Sequence, residues 1–329
     1  MTDNWNLLGH EWAVDMLRQH VARDSARHAY LFAGPPGVGR RTLALRFAQA
    51  LNCTQTIEAG MPCGQCRDCK QIEAMQHPDL TIIQAETEGG TLKVDQVRES
   101  RRSLTLKPYQ SKYRLAVFVR FQEANDNAAN ALLKVLEEAP SYAVLILTAD
   151  NPEQLLPTII SRCEVLRLRP APLEMVSSFL RERGADEDTA RLLAHISGGR
   201  PGFALRLLQD PSALEFRREK LSDLQTLLPA TRVEKFSYAD KLSKDKDSMR
   251  RVLLLWVSFW RDVLLRVGGV STPIANADLV QEIEFLAGLV SLSEVRGVLS
   301  NLEKALARMD ASVNARLLAE VLLLDWPKV

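Results

Sequence analysis

The chain has 329 residues, 46% hydrophobic and 25% charged, the make-up of an ordinary globular protein with room for two or three domains. A formal net charge of +1 excludes bulk electrostatic attraction to nucleic acid, so any such contact has to come from a local patch. Met1-Thr2-Asp3-Asn4-Trp5 lacks the basic and apolar segments of a signal peptide, and the most apolar run, 252–260, is too short to span a bilayer. A cytoplasmic chain with reduced thiols and no membrane contact is therefore expected.

Residues 5–27 read as a helix, with Trp12, Val14, Leu17 and Val21 at apolar spacing. The apolar run 28–33 reads as a buried strand, and 43–51 as a helix that ends near Asn52. Between them lies Gly34-Pro35-Pro36-Gly37-Val38-Gly39-Arg40-Arg41-Thr42. Strand, glycine-rich turn and helix form the context of a phosphate-binding loop, where backbone N–H groups and a helix N-terminus face the phosphates. Gly34, Gly37, Gly39, Arg40 and Thr42 are the candidate nucleotide-binding residues. The two side chains that carry the chemistry of such a loop, Lys and then Ser or Thr, are here Arg40 and Arg41. The hydroxyl that would hold Mg²⁺ is gone, and Arg41 places a like charge in its position. A planar guanidinium does not replace the point charge of lysine. The frame of an ATPase is present without part of its machinery.

Cys53, Cys63, Cys66 and Cys69 follow as C-x9-C-x2-C-x2-C, a spacing at which four thiolates can surround one tetrahedral Zn²⁺. A redox pair fits overlapping triplets plus a fourth cysteine poorly. Unliganded core thiols fit poorly beside Gly64, Gln65, Arg67, Asp68 and Lys70. A site filled by four protein ligands is closed, hence structural.

Residues 79–84 read as a strand and Glu88-Gly89-Gly90-Thr91 as a turn. A helix is expected over 94–104 with Val94, Val97 and Leu104 inward. Arg98, Arg101 and Arg102 share one face of it, and Lys93, Lys107, Lys112 and Arg114 are near in sequence. This face is either a phosphate contact or a solvated helix surface; the sequence leaves both open. The strand 115–119 should end, in an ATPase of this architecture, in Asp-Glu for the metal and the attacking water. It ends in Val119 and Arg120, and Glu123 comes too late. Residues 127–138 form a helix with Leu132, Val135 and Leu136 on one stripe, stopped by Ala139-Pro140. A buried strand, 144–147, and Ile159-Ile160-Ser161-Arg162-Cys163 follow.

Arg169-Pro170-Ala171-Pro172 and Asp210-Pro211 are composition breaks. The expected architecture is an α/β P-loop domain with a parallel sheet over 1–169, carrying the zinc-binding insertion at about 53–69. A small helical lid domain, 170–210, and an all-helical C-terminal domain, 211–329, complete it. Trp256 and Trp260, one turn apart, are expected in the core of the last.

His28-Ala29-Tyr30-Leu31-Phe32, the glycine loop, the four cysteines, Asn130-Ala131-Leu132-Leu133-Lys134 with Glu137-Glu138, and Ser161-Arg162-Cys163 occur in that order. This chain resembles the bacterial sliding-clamp loader subunits of the AAA+ superfamily. Specific motifs carry the resemblance to about residue 210. Beyond that it rests on an all-helical region with Asn314-Ala315-Arg316-Leu317-Leu318 before the last helix. The departures at Arg40, Arg41, Val119 and Arg120 place it with a member that does not hydrolyse ATP.

The resemblance implies a five-subunit ring with ATP sites at its interfaces, in which Arg162 reaches the γ-phosphate held by a neighbour. It implies a C-terminal collar, and as partners the ATPase subunits, the clamp-opening subunit, the sliding clamp, and primer-template DNA through the assembled complex. The arginine by which hydrolysing members sense nucleotide would fall at Gly202, with Arg200 two residues off. No intrinsic catalysis is expected, and no carboxylate pair for polymerase chemistry is present, although the surviving glycine backbone leaves passive ATP binding open. The alternatives are a self-sufficient ATPase subunit and a zinc-stabilised DNA-binding module reading duplex through Arg98–Arg102.

Overall fold

The computed structural model describes residues 4–56, 58–87, 89–309 and 314–327. Met1–Asp3 of the N-terminal stretch and Glu88 of the expected turn lie outside the described residues. Packing divides the chain into two compact units, Met1–Val176 with Gly199–Phe203, and Ser177–Gly198 with Ala204–Val329.

The first unit is a five-stranded parallel sheet with helices on both faces. In chain order its elements are α1 (Glu11–Ala22), β1 (Ala29–Ala33), α2 (Arg40–Asn52), α3 (Arg67–Glu73), β2 (Leu80–Ile83) and α4 (Val94–Thr105). Then come β3 (Arg114–Phe118), α5 (Asp126–Glu138), β4 (Ala143–Ala149), α6 (Pro157–Ile160) and β5 (Glu164–Arg167). The strand order is β2-β3-β4-β1-β5. β1 and β4 are buried at every position, which is why they read as unbroken apolar runs rather than alternating ones. The alternation is in where the side chains go. Tyr30 and Phe32 face the layer that holds Leu43 and Phe47 of α2, whereas Ala29 and Leu31 face Val97 of α4 and Leu132 of α5. The register pairs Ala33 with Ala149 and with Arg167, so the loops after β1, β4 and β5 leave the same end of the sheet.

Three sequence expectations for the N-terminal helix are corrected, the first being its end, at Ala22 rather than residue 27, with Asp24 at φ 52° just beyond. The helix begins at Glu11, because Trp5, Asn6 and His10 take positive φ angles of 53°, 57° and 66°. Trp12, expected inward, is 52% exposed, and Trp5 takes the core position instead. The Trp5 ring stacks on Phe47 at 6.5 Å between centroids, and its indole N–H donates to the Gly60 carbonyl at 3.2 Å. In α4, Val97 and Leu104 are buried as expected, while Val94 is only half-buried.

The second unit is helical throughout its described residues. α7 (Leu173–Arg181) and α9 (Pro201–Gln209) each begin in the first unit, with α8 (Glu187–Ser197) between them. α10 (Pro211–Leu227), α11 (Arg232–Leu242), α12 (Lys246–Val267), α13 (Val280–Leu289), α14 (Leu292–Met309) and α15 (Ala315–Leu324) follow. Trp256 and Trp260 of α12 are fully buried, with Trp326 edge-on to both at 4.9 and 6.2 Å. Arg217 of α10 is buried and paired bidentately with Asp278, and Asn276 beside it bonds Asp262 of α12. That network ties the connection after α12 to two helices. No helix among the described residues is long and apolar enough to cross a membrane.

Candidate functional site

The glycine loop sits between β1 and α2, at the strand end where the sequence places it. Its glycines are used for close packing. Gly37 has φ 85°, and a Cβ there would lie 2.8 Å from the Phe203 backbone nitrogen. The Gly37 carbonyl accepts the Gly202 N–H at 2.9 Å, so the position expected to lack a nucleotide-sensing arginine instead holds the loop. On the other side, buried His10 meets the Val38 carbonyl at 3.1 Å, and burial lowers the His10 pKa.

Arg40, at the position of the phosphate-binding lysine, is 9% exposed at its side chain, and its Nη1 lies 2.7 Å from Oδ1 of Asp150 at the end of β4. Neither atom makes an aligned hydrogen bond, so this is a charge contact rather than a directed one. A carboxylate of the same chain thus meets the cation that would meet a phosphate. Arg41 and Thr42 are exposed on the first turn of α2, and Arg41 reaches the Met75 sulfur.

At the end of β3, Arg120 has φ 54°, and its N–H donates to Thr148 Oγ1 at 2.9 Å. Its Nε donates to Glu123 Oε1 at 2.7 Å, and Glu123 also accepts the Gly89 N–H. Glu123 therefore neutralises Arg120 and takes the place of neither missing carboxylate. Because this second defect is independent of the loop, the double change Arg40→Lys with Arg41→Thr is expected to leave the purified chain without ATP turnover. Steady hydrolysis by that variant would show that another group positions the metal and water.

Arg162 lies between α6 and β5. Its Nη1 donates to the Thr158 carbonyl at 3.0 Å and its Nη2 to Glu137 Oε1 at 2.8 Å, and its side chain remains 38% exposed. Next to it, burial pushes the Cys163 thiol up to about 12.

The four cysteines converge. Cys53 follows α2 directly, Cys63 and Cys66 lie in the loop beyond it, and Cys69 is on α3, yet their sulfurs all lie within 4.8 Å of one another. Four sulfurs about 2.3 Å from one zinc would be about 3.8 Å apart, so a small contraction turns this cluster into a tetrahedral ligand set. Backbone N–H groups already point at the sulfurs: Cys63 to Cys53 at 3.3 Å, Cys66 to Cys63 at 3.2 Å and Cys69 to Cys66 at 3.4 Å. Such donors stabilise thiolates. Burial opposes the Cys66 thiolate, but N–H donation from Cys69 and Thr54 prevails and brings it down to about 6. Burial pushes the Cys69 thiol well above its ordinary range.

On α4 the structure brings Arg98 and Arg101 together with Asn127, Asn130 and Lys134 of α5, around a cavity of about 430 Å³ that Val94 and Val135 also line. Arg102 is exposed but not part of that lining. Lys134 and the two asparagines escape a reading that follows only one helix, since nothing in their own stretch marks them as facing α4. The partners Asp150 and Glu137 were missed for the same reason. The available signal for Asp150 is a carboxylate at the end of a buried strand; for Glu137 it is an acidic pair at a helix C-terminus, the wrong end for negative charge.

Fold and glycine loop together define the first unit as a P-loop domain of the AAA+ class. Residues 9–172 match the family model described as DNA polymerase III, delta subunit, and 211–328 match the companion model for the C-terminal part of that delta family. The chain is 30% identical to the DNA polymerase III subunit delta′ of Bacillus subtilis (strain 168) over 316 residues, covering 94% of each chain. It is 32% identical to that of Pseudomonas aeruginosa over 326 residues, 96% of each. Over 276 residues it is 30% identical to that of Escherichia coli K12, covering 83% of this chain and 80% of that one. The chain belongs to the family of DNA polymerase III delta′ subunits.

Proposed function

We propose that this protein is a clamp-loader subunit that does not hydrolyse ATP itself and lends Arg162 in trans to the ATP held by a neighbouring subunit. With its partners it opens the sliding clamp and loads it on primer-template DNA. The observation that carries this reading is the contrast between two arginines. Arg40 is buried against Asp150 inside its own loop, while Arg162 is exposed and keeps donors to spare. A guanidinium supplied in trans offsets the charge on the transferring phosphoryl oxygens, and at the site it serves it is worth about 10³–10⁵ in rate.

The remaining assignments follow this reading. Residues 1–169 form the AAA+ domain, 170–210 a helical lid, and 211–329 the collar through which ring members associate. Zn²⁺ held by Cys53, Cys63, Cys66 and Cys69 is structural. Arg98 and Arg101, with Lys134, face DNA phosphates once the ring is assembled in the cytoplasm. Partners are the ATPase subunits, the clamp-opening subunit and the clamp.

Arg162→Ala is expected to leave the isolated chain as stable as the wild type. It should lower the DNA-stimulated ATPase of the assembled complex several-fold, by less than at one site because the other sites keep their own arginines. An unchanged rate in the assembled complex would remove the role in trans. The purified wild-type chain with ATP and Mg²⁺ is expected to show no turnover; hydrolysis that survives stringent purification would make it an ATPase in its own right.

A further inference from the structure

The last two residues of α5 are Glu137 and Glu138, and its last turn contains no basic residue. The C-terminus of a helix carries partial negative charge, so two adjacent carboxylates there work against the helix that bears them. A sequence that breaks a local rule in this way does so for contacts made elsewhere. Each of the two carboxylates meets an arginine from a different element. Glu138 pairs with Arg101 of α4, and Glu137 with Arg162 beyond α6.

The Arg162 guanidinium is held at two points, Glu137 Oε1 at 2.8 Å and the Thr158 carbonyl at 3.0 Å. A guanidinium has five N–H donors in a fixed plane, so two fixed contacts set the direction in which the other three point. One of the two anchors is the backbone of the short helix just before Arg162. The other comes from α5, whose Leu132, Val135 and Leu136 are buried against the sheet. Glu137 is 53% exposed at its side chain, and an exposed pair of this kind adds little to folding. Its effect is therefore on where the guanidinium sits.

We propose that Glu137 is a positioning residue for Arg162: it fixes the guanidinium against the end of α5 so that the remaining donors face a phosphate held by a neighbouring subunit. This rests on the role of Arg162 in trans. The pair need not open during the reaction, because it engages only one edge of the guanidinium. Misplacement by a fraction of an ångström is costly for a group that must meet charge developing in a transition state.

The test uses the assembled complex containing this chain, with ATP, clamp and primed DNA. Glu137→Gln removes the charge but keeps the size; it is expected to lower kcat about three- to tenfold and to leave KM for ATP within roughly twofold. Glu137→Asp, with a carboxylate one methylene shorter, should fall between Gln and wild type. Adding Glu137→Gln to Arg162→Ala should lower the rate no further, because both act through one guanidinium. In thermal unfolding, Glu137→Gln is expected to be as stable as wild type or more stable, since it relieves negative charge at a helix C-terminus.

A wild-type kcat for Glu137→Gln, an additive loss in the double variant, or a loss of stability that accounts for the rate would each overturn the proposal while leaving Arg162 in its role. A wild-type rate for Arg162→Ala would remove that role, and the present inference with it.

Discussion

Removing the metal from the purified chain, or replacing Cys66 by serine, is expected to destabilise the first unit by several kcal/mol. That is less than the roughly 10–16 kcal/mol of a zinc finger whose whole fold depends on its metal, because the sheet and α2 hold on without it. The four sulfurs lie within 4.8 Å of one another, so a bound ion would join the end of α2, the loop after it and α3. The loop between Cys53 and Cys63 docks on the first unit at Gly60, whose carbonyl accepts the Trp5 indole N–H at 3.2 Å. Without a metal the Cys69 thiol is held neutral by burial, so loading the site releases protons, and acid drives the metal off. The damage should spread along named contacts. α3 packs Ile72 into the core, and Gln49 of α2 donates to the Cys69 carbonyl at 2.7 Å. Metal analysis should find one zinc per wild-type chain and none in Cys66→Ser, with the unfolding midpoint of the first unit shifted down in the variant. A metal-free wild-type chain of unchanged stability would refute the structural role.

What the sequence revealed and what it hid divide along a physical line. Where a residue's type and its near neighbours determine its place, the reading held. The Val144–Leu147 run is a buried strand, Trp256 and Trp260 are core, and the four cysteines converge. The architecture follows from alternating strand and helix patterns, and β1 with its glycine loop is where the spacing puts it. Where the partner comes from far along the chain, spacing carries no information. Arg40 could be read as a failed lysine but not as the partner of Asp150, 110 residues on. Arg162 could be found by resemblance but not its anchor Glu137. Trp12 and Trp5 exchanged places because helical spacing treats both as apolar, whereas the backbone turns at Trp5, Asn6 and His10 decide which ring reaches Phe47.

The defects of the nucleotide site belong to the same division. The losses at Arg40, Arg41, Val119 and Arg120 are legible because they are departures from a pattern. That each buried or half-buried arginine has a carboxylate of its own, Asp150 for Arg40 and Glu123 for Arg120, is visible only in the fold. A cation left unpaired in a site that held no nucleotide would be costly to bury. These pairs leave the cations at both places neutralised within the chain.

The second large effect is expected at Asp79, which no motif marks. Its carboxylate is fully buried and accepts four donors: the N–H groups of Tyr109 at 2.6 Å, Gln110 at 2.9 Å and Ser111 at 3.0 Å, and Arg114 Nη1 at 2.7 Å. Burial alone would raise its pKa, but the N–H donors of Tyr109 and Gln110 and the Arg114 guanidinium prevail and hold it below the ordinary 3.8. A depressed folded pKa contributes stability that is fully present above the unfolded value and is lost as pH falls through the folded one, so this contribution disappears only in acid below about 4. Asp79→Ala leaves Arg114, 12% exposed at its side chain, and three amides without their acceptor, and is expected to cost about 3–5 kcal/mol. Arg114→Met in the same chain should recover part of that loss, because the stranded charge is then gone. The effect also reaches the cysteine segment. His77 Nδ1 accepts the Asp79 N–H at 3.0 Å, and its Nε2 faces Asp68 Oδ1 at 3.2 Å; Thr54, next to Cys53, bonds the other oxygen of Asp68 at 2.8 Å. Hydrogen exchange gives the local readout that a chain of two units requires. In Asp79→Ala the amides of Tyr109, Gln110 and Ser111 should lose protection first and Cys69 on α3 next, while the tryptophan cluster of the second unit keeps its protection. Unchanged exchange at 109–111 would mean that the loop is held by its own turn geometry, and that Asp79 serves only to neutralise Arg114.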